Sequence, residues 1–260
     1  MSIAAKIVGH ARSGDLISAA SKRIRPRRHL TNPTPSARRI NRLFDGLPGA
    51  VRYLEIGLEF GYTFKNVQAP VRWGVDPNPR FDVKRLPPGT HVAVMTSDEF
   101  FEGIDPCASF DVVFLDGLHT FRQTYRDLVN ALRVCPRGVI LIDDVVPSDE
   151  VSAMPDREKS FRERSRRGLK GYPWHGDVFR VLLCVKAHHP ELSFRTIVGM
   201  DNPQALVWRN VPGVVSSVPE AELDTIETVS FTDVFGRGIP DSFIPRAESE
   251  AIEDWKSALP

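Results

Sequence analysis

The feature of this sequence that most constrains its fold is a series of five short apolar runs between residues 51 and 144. Each run ends in Gly, Asp or Thr and is followed by a loop or by a segment whose apolar residues have helical spacing. Such runs are typical of parallel strands that are buried on both faces of a sheet. The runs are VRYLEIG, VRWGVD, HVAVMT, FDVVFLD and GVILIDD, and SFRTIVG and ALVWRN would add two final strands. We therefore predict an α/β protein with a doubly wound, mostly parallel sheet of seven strands.

The segments that flank these runs differ from them in composition. Residues 1–48 alternate apolar and basic residues and resume helical spacing near Ile40, which predicts an N-terminal helical extension. Residues 49–210 contain the predicted strands and would form the main domain. Residues 211–260 are rich in Pro, Ser and acidic residues, so we expect a C-terminal acidic tail with a weak terminal helix.

A basic stretch follows the fifth run. Residues 157–171 contain glycines and lack apolar periodicity, which predicts a mobile loop or lid. His175 and Asp177 come next and could reach a site from this lid. Helix capping is the simpler explanation for Asp177, since it precedes an apolar segment with helical spacing and a carboxylate there meets the helix dipole.

Composition excludes several classes of protein. The formal net charge of the 260 residues is +1, so no overall field favours nucleic acid or an anionic membrane. The three cysteines are far apart and lack C-x-x-C spacing, which argues against a disulfide framework and a zinc site and is consistent with a reducing cytoplasm. No apolar run reaches the roughly 18 to 20 residues that span a bilayer. We expect a cytoplasmic protein with a small-molecule substrate, and a homo-oligomer stays open.

Acids and glycines follow the first two runs. Glu55, Gly57 and Gly61 lie at the end of the first, where glycine allows a sharp turn and close approach of a ligand to the backbone. Asp76 ends the second run, where an acid can accept hydrogen bonds from ribose hydroxyls. This pair suggests a nucleoside-bearing ligand, although a tight turn without a ligand would also explain the residues. Because Glu59 interrupts a G-x-G-x-x-G fingerprint, a nicotinamide oxidoreductase is the disfavoured alternative.

With these motifs in order at predicted strand ends, residues 50–210 resemble the class I S-adenosylmethionine-dependent methyltransferases. The resemblance implies a Rossmann-like fold in which Glu55, Gly57 and Gly61 line the methionine part of the cofactor and Asp76 binds its ribose. It also implies that Ser97 and Asp98, in the segment TSDEFF, lie near the adenine. A helix cap is the alternative for these last two residues.

Asp116, Asp143 and Asp144 end the fourth and fifth runs, and the carboxyl ends of parallel strands meet at one edge of the sheet. Three adjacent carboxylates repel one another unless a cation intervenes, and an oxygen-only ligand set suits Mg²⁺. The alternative is that these acids only form turns and caps.

These acids resemble those of the catechol-type, metal-dependent O-methyltransferases, with a departure. That pattern has Asp-Asn after strand five and a Lys three positions beyond the strand-four Asp, where this chain has Asp143-Asp144 and His119. The D-x-x-H spacing is closer to the macrocin-type sugar O-methyltransferases, a resemblance that implies His119 as the base. We therefore expect an O-methyltransferase, assisted by Mg²⁺, that acts on an alcohol or sugar. A non-catalytic binding protein that retains the fold is the other alternative.

Overall fold

The computed structural model describes residues 33–45, 47–199, 201–211, 213 and 215–259. Within them the chain forms eight α-helices, two short 3-10 helices and eight strands. The helices are α1 (Pro35–Phe44), α2 (Ser97–Gly103), α3 (Phe121–Val134), α4 (Arg157–Arg166), α5 (Arg180–His188), α6 (Glu220–Glu227), α7 (Phe231–Phe235) and α8 (Glu248–Lys256). The strands are β1 (Arg52–Ile56), β2 (Val71–Val75), β3 (Thr90–Ala93), β4 (Val112–Leu115), β5 (Val139–Ile142), β6 (Leu192–Ile197), β7 (Gln204–Arg209) and β8 (Pro245–Arg246).

All the strands belong to one sheet with the order β3-β2-β1-β4-β5-β7-β6-β8. The first five are parallel, β7 runs antiparallel to β5 and β6, and the short β8 pairs in parallel with β6. The predicted α/β, doubly wound, mostly parallel sheet is thus confirmed, with an eighth strand added at one edge. The strand order reverses between β1 and β4, which makes their carboxyl ends the switch point where open α/β sheets bind ligands.

The central strands are apolar because helices cover both faces of the sheet. Every residue of β4 and of β5 is buried. Alternate side chains pack into two hydrophobic clusters, one on each face, with Val113 and Leu115 in one and Val112 and Phe114 in the other. Burial on both faces leaves the strand ends as the places where this sheet can hold polar groups.

The helix predicted near Ile40 is α1, and its start follows capping chemistry. The Thr34 side chain accepts a hydrogen bond from the Ala37 backbone N–H, and Pro35 stands at the first helical position. Ile40 packs against the sheet, and Arg39 on the same helix is also buried. The rest of the predicted extension, residues 1–32, lies outside the described residues, so the three-part division of the chain stays a prediction.

The segment that we expected to be an acidic tail folds onto the sheet instead. It contains α6, α7, α8 and β8, and Val218, Leu223, Phe243 and Trp255 are buried. The acids that dominate its composition lie mostly on the exposed faces of these helices, while the spaced apolar residues join the core. The predicted terminal helix is α8, whereas the acid-rich composition hid α6 and α7.

The basic stretch predicted to be a loop is largely helix α4. Asp156 caps its start by accepting a hydrogen bond from the Lys159 N–H at 2.9 Å, and Glu163 pairs with Arg166 and Arg167 one turn further on. Local ion pairs and a cap can support a helix that has little apolar periodicity. Whether this segment is mobile stays a prediction. No helix within the described ranges is long and apolar enough to cross a membrane.

Asp177 caps a helix that is distant from it in the sequence. It lies before α5, but its Oδ1 accepts a hydrogen bond of 2.7 Å from the backbone N–H of Phe121, the first residue of α3. The Thr120 side chain makes no capping hydrogen bond. Asp177 is 2% exposed and also pairs with Arg180. It therefore caps the helix that follows β4 and fixes the loop between them.

We predict that Asp177→Ala lowers the free energy of unfolding by about 1–3 kcal/mol, because it leaves the buried Phe121 N–H without an acceptor. Asp177→Asn keeps an acceptor oxygen and should cost less. Asp156→Ala, which removes an exposed cap, is the matched control and should cost less than Asp177→Ala. Urea unfolding measures all three. An equal loss in the Asp177→Ala and Asp156→Ala proteins would contradict the buried-cap explanation.

Candidate active site at the carboxyl edge of the sheet

Two of the predicted acids and a histidine converge at the carboxyl ends of β4 and β5. Asp116 follows β4 directly, His119 lies three residues later, and Asp144 lies two residues beyond β5. One potential metal-ligand atom from each of the three lies within 4.8 Å of the other two. The arrangement follows from the parallel pairing of β4 with β5, which brings the two strand ends side by side.

His119 lies between the two carboxylates. Its Nε2 is 3.4 Å from Asp116 Oδ1, and its Nδ1 is 2.7 Å from Asp144 Oδ2. The second contact is close, but the oxygen is not aligned with the ring N–H, so the buried Nδ1 has no hydrogen bond of regular geometry. The Trp174 ring stacks on the imidazole, with centroids 4.7 Å apart and planes within 5°. This stacking fixes the plane of the His119 ring.

The charges of this group raise the pKa of His119 and lower the pKa of Asp144. Burial alone would lower the pKa of His119, but Asp116 and Asp144 outweigh burial and raise that pKa well above its ordinary value. Burial would raise the pKa of Asp144, but His119 outweighs it and lowers that pKa. Burial raises the pKa of Asp116, against the hydrogen bond and charge of His119, which lower it. Without another cation, the imidazolium of His119 is the counter-ion of the two acids.

Asp143 does not join this group of ligand atoms, although it was predicted with Asp116 and Asp144 as a metal ligand. Its Oδ1 accepts hydrogen bonds from the Asn202 side-chain amide at 2.5 Å, the Gln204 amide at 3.0 Å and the Asp144 N–H at 2.9 Å. Burial, and then the charges of Asp144 and Asp116, raise the pKa of Asp143 well above its ordinary value. Asp143 is therefore held by amides beside the group.

His175 faces the same acids from the segment after α4. Its Nε2 lies 3.9 Å from Asp144 Oδ1, and its buried Nδ1 has no hydrogen-bond partner within the described residues. Burial lowers the pKa of His175 below its ordinary value. The sequence indicated His175 as a residue that could reach the site from the lid, whereas its neighbour Trp174 was missed. The adjacent Trp and His in YPWHGD were the only sequence signal.

The predicted glycine turn after β1 is present, and the close approach of the Asp116 backbone explains why it requires glycine. Gly57 has φ +89°, and a Cβ at this position would lie 1.9 Å from the backbone oxygen of Asp116. Only glycine therefore allows the end of β1 to pass so close to the end of β4. Gly61 has φ +68° and packs against the Phe81 ring. Both residues shape the loop at the switch point.

Glu55 lies deeper than a side chain that lines an open cofactor site. It is 2% exposed and accepts a hydrogen bond of 2.6 Å from the Tyr53 hydroxyl. Burial raises the pKa of Glu55 well above its ordinary value, against the effect of that hydrogen bond. The structure thus places Glu55 beneath the glycine loop rather than at its surface.

Asp76 ties this loop to the end of β2. Its Oδ2 accepts hydrogen bonds from the Leu58 and Glu59 backbone N–H groups at 2.8 and 2.9 Å, and its Oδ1 accepts one from the Asn78 N–H at 2.7 Å. A carboxylate has about four acceptor positions, so one remains for a hydroxyl group. Both explanations offered by the sequence, a turn acid and a ribose ligand, are compatible with this geometry.

Ser97 and Asp98 begin α2, whose N-cap is the preceding Thr96 in a capping box with Glu99. Asp98 forms an ion pair of 2.8 Å with Arg126 on α3, and the Gln123 amide donates to Ser97 Oγ at 3.1 Å. The structure therefore joins both residues to α3 at the surface near β3. Exposed apolar side chains occur at this edge too, namely Val94 after β3 and Leu118 after β4.

The group fits a divalent cation on its own geometry. Asp116, Asp144 and His119 offer two carboxylate oxygens and a ring nitrogen that all lie within 4.8 Å of one another, and the buried Nδ1 of His119 lacks a regular partner. Two carboxylates with one nitrogen are suitable ligands for several divalent ions. The switch point beside them, with glycine turns and an acid after β2, fits a nucleoside-bearing cofactor.

Comparison with known proteins supplies the family context. Residues 54–145 match the family model described as a methyltransferase domain. No curated protein sequence matches the chain. This match confirms the prediction, made from the motifs, that the chain is a methyltransferase.

Three solved structures illustrate the likeness of the fold. A protein from Klebsiella pneumoniae, provisionally described as an O-methyltransferase, is 17% identical with a TM-score of 0.46, and 71% of this chain and 94% of that chain are covered. The cofactor-bound protein Rv0187 from MTB is 19% identical with a TM-score of 0.48, covering 67% and 78%. A sugar N-methyltransferase from a Streptoalloteichus species is 21% identical with a TM-score of 0.36, covering 52% and 60%. Because each TM-score is below 0.5, the functional conclusion rests on the domain match and on the residues of the site.

We predict that the two histidines of the site titrate on opposite sides of the ordinary pKa of about 6.5 in metal-free protein. Two carboxylates raise the pKa of His119, whereas burial lowers that of His175. NMR of the imidazole carbons against pH measures both, with His119→Gln and His175→Gln to assign the signals. A pKa of His119 at or below the ordinary value would show that the carboxylates do not face it as described.

Proposed function

We propose that this S-adenosylmethionine-dependent methyltransferase transfers the methyl group to a hydroxyl of a small molecule, such as a sugar or a natural-product intermediate, with the assistance of Mg²⁺. The observation that carries the proposal is the position of His119 between Asp116 and Asp144, beside the switch point of the sheet. A base and a pair of acids at that point could activate a hydroxyl next to a cofactor.

The reaction requires little covalent chemistry from the protein. The acceptor oxygen forms a bond to the methyl carbon while the bond from that carbon to sulfur breaks, which leaves S-adenosylhomocysteine and a methyl ether. The hydroxyl proton must go to a base. The protein therefore has to align the two molecules and remove one proton.

His119 is the proposed base, and its environment sets a condition for that role. With the two carboxylates uncompensated, the pKa of His119 is raised and the ring is protonated, so it cannot accept a proton. A divalent cation at Asp116 and Asp144 would supply compensating positive charge and would make an acceptor hydroxyl more acidic. His119 would then be neutral, with its ring plane held by Trp174 and ready to take the proton.

The surroundings of His119 favour a sugar or an alcohol. By the resemblance noted above, His119 replaces the Lys of the catechol-type pattern. The Trp174 ring stacks on it. An aromatic ring next to the base provides a flat apolar surface against which a sugar or another ring can pack.

We predict that S-adenosylhomocysteine raises the melting temperature, because a ligand that binds only the folded protein stabilises it. Asp76→Ala should remove most of that shift, since the carboxylate holds the glycine loop and is the proposed ribose acceptor. Asp82→Ala, an exposed acid in the following loop, is the control and should keep the shift. Thermal unfolding with NADH tests the alternative oxidoreductase, and a shift with NADH alone would contradict the proposal.

We also predict that methyl transfer to hydroxyl acceptors stops in EDTA and returns with Mg²⁺. His119→Ala should lower turnover by roughly 10²-fold or more, the usual scale for a lost general base, and should leave S-adenosylhomocysteine binding intact. Transfer of a labelled methyl group to a panel of sugars and alcohols measures both effects.

Two outcomes decide the roles within the site. Full activity in EDTA would remove the metal from the proposal, and His119 would act alone. If His119→Ala abolishes Mg²⁺ binding itself, His119 is a metal ligand and another group, with His175 the nearest candidate, must be the base. His188→Ala, a histidine at the far end of α5, is the matched control and should change neither property.

A further inference from the structure

We propose that Gln204 is a positioning residue that, with Asn202, holds Asp143 and through it aims Asp144 at the cation. The inference rests on the proposed function, since it concerns the residues that support the metal site. Gln204 is the first residue of β7 and is fully buried. Its side-chain nitrogen donates to Asp143 Oδ1 at 3.0 Å and to Ser36 Oγ at 2.8 Å. It thus holds an acid of the site from the neighbouring antiparallel strand.

The orientation of the Gln204 amide is set by Arg39. A guanidinium can only donate hydrogen bonds, so the side-chain oxygen of Gln204 has to face it. Arg39 Nη1 donates to that oxygen, and the amide nitrogen must then point the other way, toward Asp143. If Arg39 were absent, the amide could rotate and present its oxygen to the carboxylate, which would repel it. Arg39 therefore determines which end of Gln204 the acid meets.

The held position of Asp143 sets that of Asp144. Asp143 Oδ1 also accepts the Asp144 backbone N–H at 2.9 Å, and Asp144 has φ +59°, a left-handed conformation that is uncommon for a residue other than glycine. The Asn202 amide donates to Asp143 Oδ1 at 2.5 Å and to Asp144 Oδ1 at 3.0 Å. Through this turn, Asp144 Oδ2 faces His119. A loss of the Gln204 donor would loosen the turn that presents Asp144.

The same network reaches both ends of the described chain. Arg39 is on α1 and is 3% exposed, and its Nε pairs with Glu248 on α8 at 2.9 Å. Helices α1 and α8 thus fix Arg39, Arg39 fixes Gln204, and Gln204 fixes the acids. Partners of this kind around a metal ligand typically affect metal affinity by about 10- to 100-fold.

The test measures Mn²⁺ binding to the full-length protein by calorimetry, with Mn²⁺ as the probe for the site. We expect Gln204→Met, which keeps the volume and removes the donor, to weaken Mn²⁺ binding by about 10- to 100-fold. Asn202→Ala, at a loop position that is not buried, should weaken it as well and guards against a failure of Gln204→Met to fold. Arg39→Met should weaken binding in the wild-type background and add nothing to Gln204→Met, because it acts through Gln204.

The matched control is Thr196→Val on the adjacent strand β6. Thr196 is also fully buried, and its hydroxyl donates to the Phe243 carbonyl at 2.6 Å, away from the acids. This variant should lower the melting temperature and leave Mn²⁺ affinity unchanged. Equal losses of affinity in Thr196→Val and Gln204→Met would show a general effect of destabilisation and overturn the inference.

The outcomes for the function and for the inference are distinct. If the wild-type protein binds no Mn²⁺, the metal part of the proposed function fails and the inference fails with it. If the wild type binds Mn²⁺ and both Gln204→Met and Asn202→Ala bind it within about twofold of the wild type, a difference of less than 0.5 kcal/mol, the inference alone is wrong.

Discussion

The repulsion between three carboxylates at one edge of the sheet is the constraint on which the site depends. Parallel pairing of β4 with β5 brings Asp116, Asp143 and Asp144 together, where burial makes their charges costly. The chain compensates them with three kinds of partner: the imidazole of His119, the amides of Asn202 and Gln204, and a backbone N–H. The amides come from the start of β7 and the loop before it, so the acids link β7 to the ends of β4 and β5.

The division of labour between the acids follows from those partners. Asp143 receives neutral donors and is fixed in place, whereas Asp116 and Asp144 face His119, whose charge can change. Under the proposed function, a cation at Asp116 and Asp144 would replace the proton of His119 as the charge that compensates these acids. Such an arrangement suits a reaction in which a base has to be neutral only when the rest of the site is assembled.

The sequence predicted the sheet and the approach of Asp116 to Asp144, because both depend on local patterns. Apolar runs identify buried strands, and residues at their carboxyl ends meet wherever the strands are parallel and adjacent. What Asp143 contacts could not be predicted in this way, since Gln204 is about 60 residues away and shows no motif of its own. The segment after residue 211 was misjudged for another reason: its acids dominate the composition while a minority of spaced apolar residues makes it fold. Local pattern therefore gave the framework of the site and missed the long-range partners that tune it.

One short segment shows how far those partners reach. Residues 174–177 stack Trp174 on His119, face His175 toward Asp144, and cap α3 through Asp177. Gly176, between them, has φ +61°, and a Cβ there would lie 1.6 Å from the backbone oxygen of His119. The turn thus passes against the loop that carries the proposed base, at a distance that only glycine permits. The position of His119 is set by a segment more than 50 residues later, so the proposed catalytic loop after β4 and the segment after α4 act as one structural unit.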